Sequence, residues 1–217
     1  DQFEKQDNIR WWPEMFVPLV SAAMLSLIEP NSKILDLHRK RWANFAEIAF
    51  SRGYYNMEEE ARVQHEYFGF ITKRTIPPFG YYNLILLAPT DEENYLSDKT
   101  DQALVDYCMN FADHIYYVYN CKPSDFVPIN IKRRDSRDFC HWLRALSLIS
   151  QFKGWMKYQD KYVEWILKQR NEEGFWELPR KPNLFNFPLS DSWRKRKNRI
   201  VDSTIMVLRF LNHNRGF

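Results

Sequence analysis

The chain has 217 residues, enough for one substantial domain or at most two small ones. Its 31 Lys and Arg nearly balance 28 Asp and Glu, and a net charge of +3 is too small to name a partner. With 45% hydrophobic and 27% charged residues the composition is globular; only 6 Gly argue against a many-turned all-β fold and against glycine-rich phosphate loops, and no run of about 18 apolar residues offers a membrane span.

The unusual quantity is aromatic content, 17%, with 8 Trp, 12 Tyr and 16 Phe. That much ring surface implies aromatic-rich packing between helices or an aromatic-lined cavity. Cys108, Cys121 and Cys140 are odd in number and unrelated in spacing. They argue against a disulfide framework and fit a reducing, cytoplasmic location. No signal peptide is visible.

In chain order, Trp11-Trp12-Pro13 opens a first helix with a stripe of Phe16, Val20, Ala23 and Leu27. Pro18 is expected to kink that helix or delay its start. Pro30-Asn31-Ser32 breaks the pattern, and a second helix follows with Ile34, Leu37, Arg41, Phe45 and Ile48 on one face, ending near Gly53. The two form a helical hairpin. Asn56 with Glu59 reads as a capping box. Glu58, Glu59 and Glu60 complement the dipole of that helix better than they bind a metal, because consecutive carboxylates point around a helix.

Lys73 to Pro78 is a proline-marked break. Phe79 to Ala88 is almost wholly apolar, a buried strand by composition and a central helix by context. After a polar connection, Ala103 to Tyr119 is predicted helical, with Leu104, Tyr107, Phe111, Ile115 and Val118 on one face. Lys122 to Asn130 is extended. Asp135 or Ser136 then caps a helix carrying Phe139, Trp142, Leu143, Leu146 and Ile149.

The most informative stretch runs from Tyr158 to Leu211. Val163, Trp165, Ile166 and Leu167 predict a helix over 158–170. Gln169 is placed to bond backbone groups left over at its end, and Gly174 ends the regularity. Trp176 follows with a large surface to bury. A long apolar loop reaches Trp193, and a last helix over 198–212 carries Ile200, Thr204, Val207, Leu208 and Leu211. No hairpin signal of paired strands occurs.

A helix, Gln169, Gly174 and Trp176 in that order resembles the glutamine-tryptophan repeat of the terpenoid cyclase and protein prenyltransferase (squalene-cyclase-like) superfamily. The resemblance lies within 138–210 and occurs once. It implies helical hairpins stapled into a full or partial α/α toroid. It carries over no catalytic residue: the chain has no two adjacent aspartates, so the aspartate-rich motifs of the cyclases are missing, and the zinc ligands of the prenyltransferases do not align.

Independent chemistry is sparse. Cys140-His141 is the one adjacent Cys-His pair, and neighbours on a helix point apart, so a buried thiol beside a histidine is the better reading than zinc. His38, His65, His114 and His213 are read as structural or exposed. Two basic clusters stand out: Lys132, Arg133, Arg134 and Arg137, and then Arg194, Lys195, Arg196 and Lys197, followed by Arg199. Solvated faces explain both better than nucleic-acid contact. If helix ends face a shared axis, the ligand-cavity candidates are Trp12, Glu14, Tyr81, Tyr82, His141, Trp142, Trp176, Arg199 and Asp202.

The expectation is therefore an all-α chain, one helical domain over 1–217 or a fragment of a longer one, in a full or partial toroid. Its expected role is non-catalytic: it binds a small apolar or glycan-like ligand in an aromatic-lined cavity, without cofactor or metal. The alternative is a helical-repeat interaction protein that takes nucleic acid or an acidic partner through the basic clusters at 132–137 and 194–199; a third reading is an enzyme, such as a lyase on an α/α toroid, with no catalytic motif visible in the sequence.

Overall fold

The computed structural model describes residues 12–69, 79–90, 93–110, 123–124, 136–178 and 193–214, without the side chains of 136–138 and 213. Among them are eight α-helices and no strand. They are α1 (Val17–Ile28), α2 (Ile34–Ala49), α3 (Met57–Phe68), α4 (Tyr81–Leu87), α5 (Asp98–Asn110), α6 (Ser136–Ile149), α7 (Met156–Leu167) and α8 (Arg196–Asn214). The protein is all-α, and its buried side chains form one cluster that draws on every helix. No helix among the described residues is long and apolar enough to cross a membrane.

Pro18 lies where the helical path changes from π to α pitch. A π-helical turn, Trp12–Phe16, precedes α1, and the proline falls in the first turn of α1, where its missing N–H costs little. α1 has no charged residue; it buries Leu19, Ala22, Ala23 and Ser26, and packs chiefly on α4. The segment that composition left between strand and helix is helical: α4 buries Asn83 to Leu87 on all sides, as a short central helix does.

The stripe of α2 is rotated from the expected one. Leu35, Arg39, Trp42, Phe45, Ala46 and Ala49 are buried, whereas Ile34 is 69% and Leu37 64% exposed. The reason is Arg39. Its Nε donates to the Leu86 carbonyl (3.3 Å) and Nη1 to the Pro30 carbonyl (2.7 Å), and the guanidinium lies over the Tyr95 ring. Carbonyls at the ends of α4 and of the α1–α2 connection thereby gain a donor that no backbone supplies. A charged residue thus occupies the centre of the buried face, which apolar periodicity does not register.

α3 begins at the expected cap, but only half of the capping box forms: the Asn56 N–H donates to the Ala49 carbonyl (2.8 Å), and Glu59 pairs with Arg62 instead. The Asn56 side chain accepts from the N–H groups of Glu58 (3.0 Å) and Glu59 (3.3 Å). It ends at Gly69, whose φ of 69° is the left-handed cap. Two of the three acids serve the first turn, but Glu60 is interior, bonded by the Tyr55 hydroxyl and by Gln64 Nε2 at 2.6 Å.

Two contacts between distant segments fix α5. Glu47 of α2 accepts from the Ser97 N–H (2.6 Å), Ser97 Oγ (2.9 Å) and Thr100 Oγ1 (2.6 Å), placing a carboxylate at the positive end of α5. Asp101, fully buried, accepts from the N–H groups of Gly154 (2.7 Å) and Lys153 (3.3 Å). It thereby holds the 3₁₀ turn Lys153–Trp155 against α5. Gly154 is obligatory there: a Cβ would lie 2.8 Å from the Cα of Gln102.

α6 buries the expected Phe139, Trp142, Leu143, Leu146 and Ile149. Trp155 then enters the core beside α7, stacked on Tyr162 with ring centroids 5.6 Å apart and edge-on to Phe210 of α8 at 6.1 Å. Its indole nitrogen donates to Asn214 Oδ1, tying the start of α7 to the end of α8.

Candidate functional site

The stretch after α7 turns back on itself and joins α8. Gln169 Nε2 donates to the Trp165 carbonyl (3.4 Å), the capping role expected of it. Asn171 accepts through its carbonyl from the Gly174 N–H (2.9 Å) and through its side chain from the Phe175 N–H (2.9 Å). Gly174 has φ 84°, a value that suits a residue without Cβ. Trp176 is 4% exposed, and its Nε1 donates to the Ile166 carbonyl at 2.7 Å.

From there the chain runs along α8, whose side-chain hydroxyls take up its main-chain N–H groups. The Trp176 N–H donates to Thr204 Oγ1 (3.2 Å), and the Leu178 N–H donates to Ser203 Oγ (3.2 Å). Between them Glu177 accepts from Arg199 Nη2 (2.8 Å) and Arg196 Nε (2.9 Å). Burial by itself would raise the Glu177 carboxyl; hydrogen bonds from Arg199 and Arg196 outweigh it and hold the group below its ordinary range. Arg199 Nη1 also donates to the Trp193 carbonyl (2.9 Å), and Trp193 Nε1 donates to Asp202 Oδ2 (2.6 Å).

α8 therefore turns a partly polar face inward: Arg199, Asp202, Ser203, Val207, Phe210, Leu211 and Asn214 are buried. Of the expected stripe only Val207 and Leu211 are buried. Leu208 is 47% exposed, and Ile200 and Thr204 are half-buried.

The nine cavity candidates fall into different places. Trp176, Arg199 and Asp202 meet in the α7–α8 corner just described, as buried members of its hydrogen-bonded network. Tyr81 and Tyr82 lie at the start of α4, with ring centroids 5.1 Å apart. Tyr82 meets Phe16 edge-on at 5.7 Å, and Phe16 meets the half-exposed Trp12 at 4.7 Å. Arg144 of α6 stacks over Tyr81 at 5.1 Å. Glu14 is exposed on the π-helical turn, and His141 is half-buried on α6. Trp142 is fully buried, donating from Nε1 to the Pro123 carbonyl at 3.3 Å. Cys140 points into the core. Among the described residues no group of three His, Cys, Asp or Glu side chains could hold a metal ion.

Lys132, Arg133 and Arg134 and the side chain of Arg137 lie outside the described residues, as do His114 and most of the loop over 174–193. Of the second cluster, Arg194, Lys195, Arg196 and Lys197 are all exposed, and Arg196 is engaged by Glu177.

Two clefts among the described residues lie elsewhere, along α8. One cleft of about 500 Å³ is lined by Glu173, Phe175, Arg196, Lys197, Ile200, Val201, Thr204 and Ile205. A second, of about 450 Å³, is lined by Ile205, Leu208, Arg209, Leu211 and Asn212. Ile205 belongs to both, so they follow one another along the helix. None of the nine cavity candidates lines either cleft, but two members of the basic cluster do. The clefts are lined by five aliphatic side chains and one ring, Phe175, together with the charged Glu173, Arg196, Lys197 and Arg209 and the polar Thr204 and Asn212. The signal in the sequence was the excess of apolar residues on α8, more than one buried face needs.

No protein-family model matches this chain, and no curated protein or solved structure matches it either.

Proposed function

We propose that the chain is a non-catalytic binding module whose site is the groove on the outer face of α8. The observation that carries this reading is the double use of α8. Its inner face is fixed by hydrogen-bonded polar groups, and its outer face still presents Val201, Ile205 and Leu208 around two clefts. Exposed, contiguous apolar surface rimmed by charge is what binding grooves present.

The groove suits an apolar occupant better than a glycan. Sugars stack on flat aromatic platforms with converging polar groups, whereas this lining has one ring and aliphatic walls. The nucleic-acid alternative is weaker: Arg199 is buried, and both Arg196 and Arg199 bond Glu177. The squalene-cyclase-like toroid remains a proposal; the Trp176 to Ile166 bond, which fastens the segment after a glycine to the preceding helix, is what supports it.

The test is binding of an anionic apolar dye of the anilinonaphthalene class, followed by fluorescence. Ile205→Glu, at a half-buried position shared by both clefts, should abolish the enhancement and leave the melting temperature within a few degrees. Undiminished dye binding in that variant would contradict the reading.

A further inference from the structure

We infer that the groove accepts one amphipathic, acidic helix of about four turns from a partner protein. This rests on the binding-module reading and specifies its occupant. The first argument is shape. From Lys197 to Asn212 the paired clefts follow α8, with Glu173 and Phe175 of the turn after α7 lining the first as well. At 1.5 Å per residue that is about 22 Å, the length of about four helical turns. Apolar surface running this far along one helix fits a rod better than a compact molecule.

The second argument is spacing. Val201, Ile205, Leu208 and Asn212 recur at steps of four, three and four residues, the seam along which two helices interlock. Val201 and Leu208 are close to half-exposed, so the seam has no full covering within the described residues. α8 cannot rotate to bury it. Arg199, Asp202, Ser203 and Asn214 are bonded on the opposite side to Glu177, Trp193, Leu178 and Trp155. Turning the helix would break all of these.

The third argument is charge. Lys197 lines the first cleft and Arg209 the second, with Arg194 and Lys195 exposed in the turn before; Arg196 also lines the first cleft but is paired with Glu177, and Glu173 is the one acid among the lining residues. Acidic groups flanking the apolar seam of a partner helix would meet this rim with complementary sign, and a basic helix would be repelled.

The experiment uses two fluorescent peptides of about 18 residues with leucine at the seam positions. One carries glutamate on its flanks and the other lysine, and a scrambled acidic peptide serves as control. The acidic amphipathic peptide should bind the full chain about tenfold or more tightly than the basic one at low salt, and salt should erode that margin. The exposed double change Lys197→Glu, Arg209→Glu should invert the preference, which keeps the test decisive even if Ile205→Glu does not fold. Equal binding of the basic or the scrambled peptide would overturn the inference while dye binding keeps the module reading alive. So would a dimer of the chain that Ile205→Glu converts to monomer. Loss of both peptide and dye binding would sink both readings.

Discussion

The indole nitrogen of Trp176 donates to the main-chain carbonyl of Ile166, 2.7 Å away, and so pins the segment after Gly174 onto the last turn of α7. The bond gives a second donor to a carbonyl that the Gln169 N–H already reaches (3.1 Å), and the ring is buried beside α7 and α8. Burying a side chain of this size contributes on the order of 5 kcal/mol of transfer free energy. Trp176→Ala should therefore lower unfolding stability by about 3–5 kcal/mol, and Trp176→Phe by less. Urea titration of the three proteins checks the order; a loss below about 1 kcal/mol for the alanine variant would remove Trp176 from its role.

Gly154 makes a separate prediction. A methyl group there would press on the backbone of α5, which cannot move aside without breaking the Asp101 bonds. Gly154→Ala should cost about 1–3 kcal/mol or more. Gly69→Ala is the contrast: open space surrounds that position, and the cost is left-handed strain of about 1 kcal/mol. Thermal melts of both variants should separate them, with Gly154→Ala the less stable.

Much of the fold was legible before any coordinates, and the misses share a cause. Helix α6 was readable because its buried face is wholly apolar. The caps at Asn56 and Gln169 were readable because capping is local chemistry. α2 was misread by a rotation, since a buried Arg39 looks like surface until Leu86 and Pro30 are seen to need its protons. α8 was misread for the complementary reason. Its inner face carries Arg199, Asp202, Ser203 and Asn214, which an apolar stripe does not register, and of the expected stripe Leu208 falls on the exposed side. Residue type does not say which side chains face each other, and of the nine cavity candidates only Trp176, Arg199 and Asp202 share the α7–α8 corner. Gly154 gave no signal, because its role depends on a helix some 50 residues earlier in the chain.

Glu177 joins two arginines of α8, and Arg199 is 8% exposed. Glu177→Gln removes the charge that Arg199 faces and should destabilise the protein by about 1–3 kcal/mol, less than for a fully buried pair because Glu177 is itself 27% exposed. A carboxyl held below its ordinary range contributes stability that is present at neutral pH and lost as pH falls through its folded-state pKa. The variant should lose less stability on acidification than the parent. Parallel acid titrations would contradict this.

His38 acts in a neighbouring window. Burial first, and then Arg41, hold its imidazole below the ordinary 6.5, and its Nδ1 has no hydrogen-bond partner. The unfolded chain takes up the proton at the ordinary value while the folded chain resists it. The stability that neutral His38 permits is complete above that value and declines as pH drops below it. His38→Gln should flatten the decline between about pH 7.5 and 5.5 in denaturant titrations. An equal decline in both proteins would show that His38 plays no part in it.

The two-faced character of α8 is most directly tested by thiol labelling. In a background carrying Cys121→Ser, with Cys108 and Cys140 buried, single variants Val201→Cys, Leu208→Cys and Val207→Cys are exposed to a maleimide under native conditions. The outer positions 201 and 208 should label at nearly the rate of a free peptide, and 207 at least about a hundredfold more slowly, limited by opening of the structure. Protection at 201 and 208, or rapid labelling at 207, would contradict the assignment of the two faces.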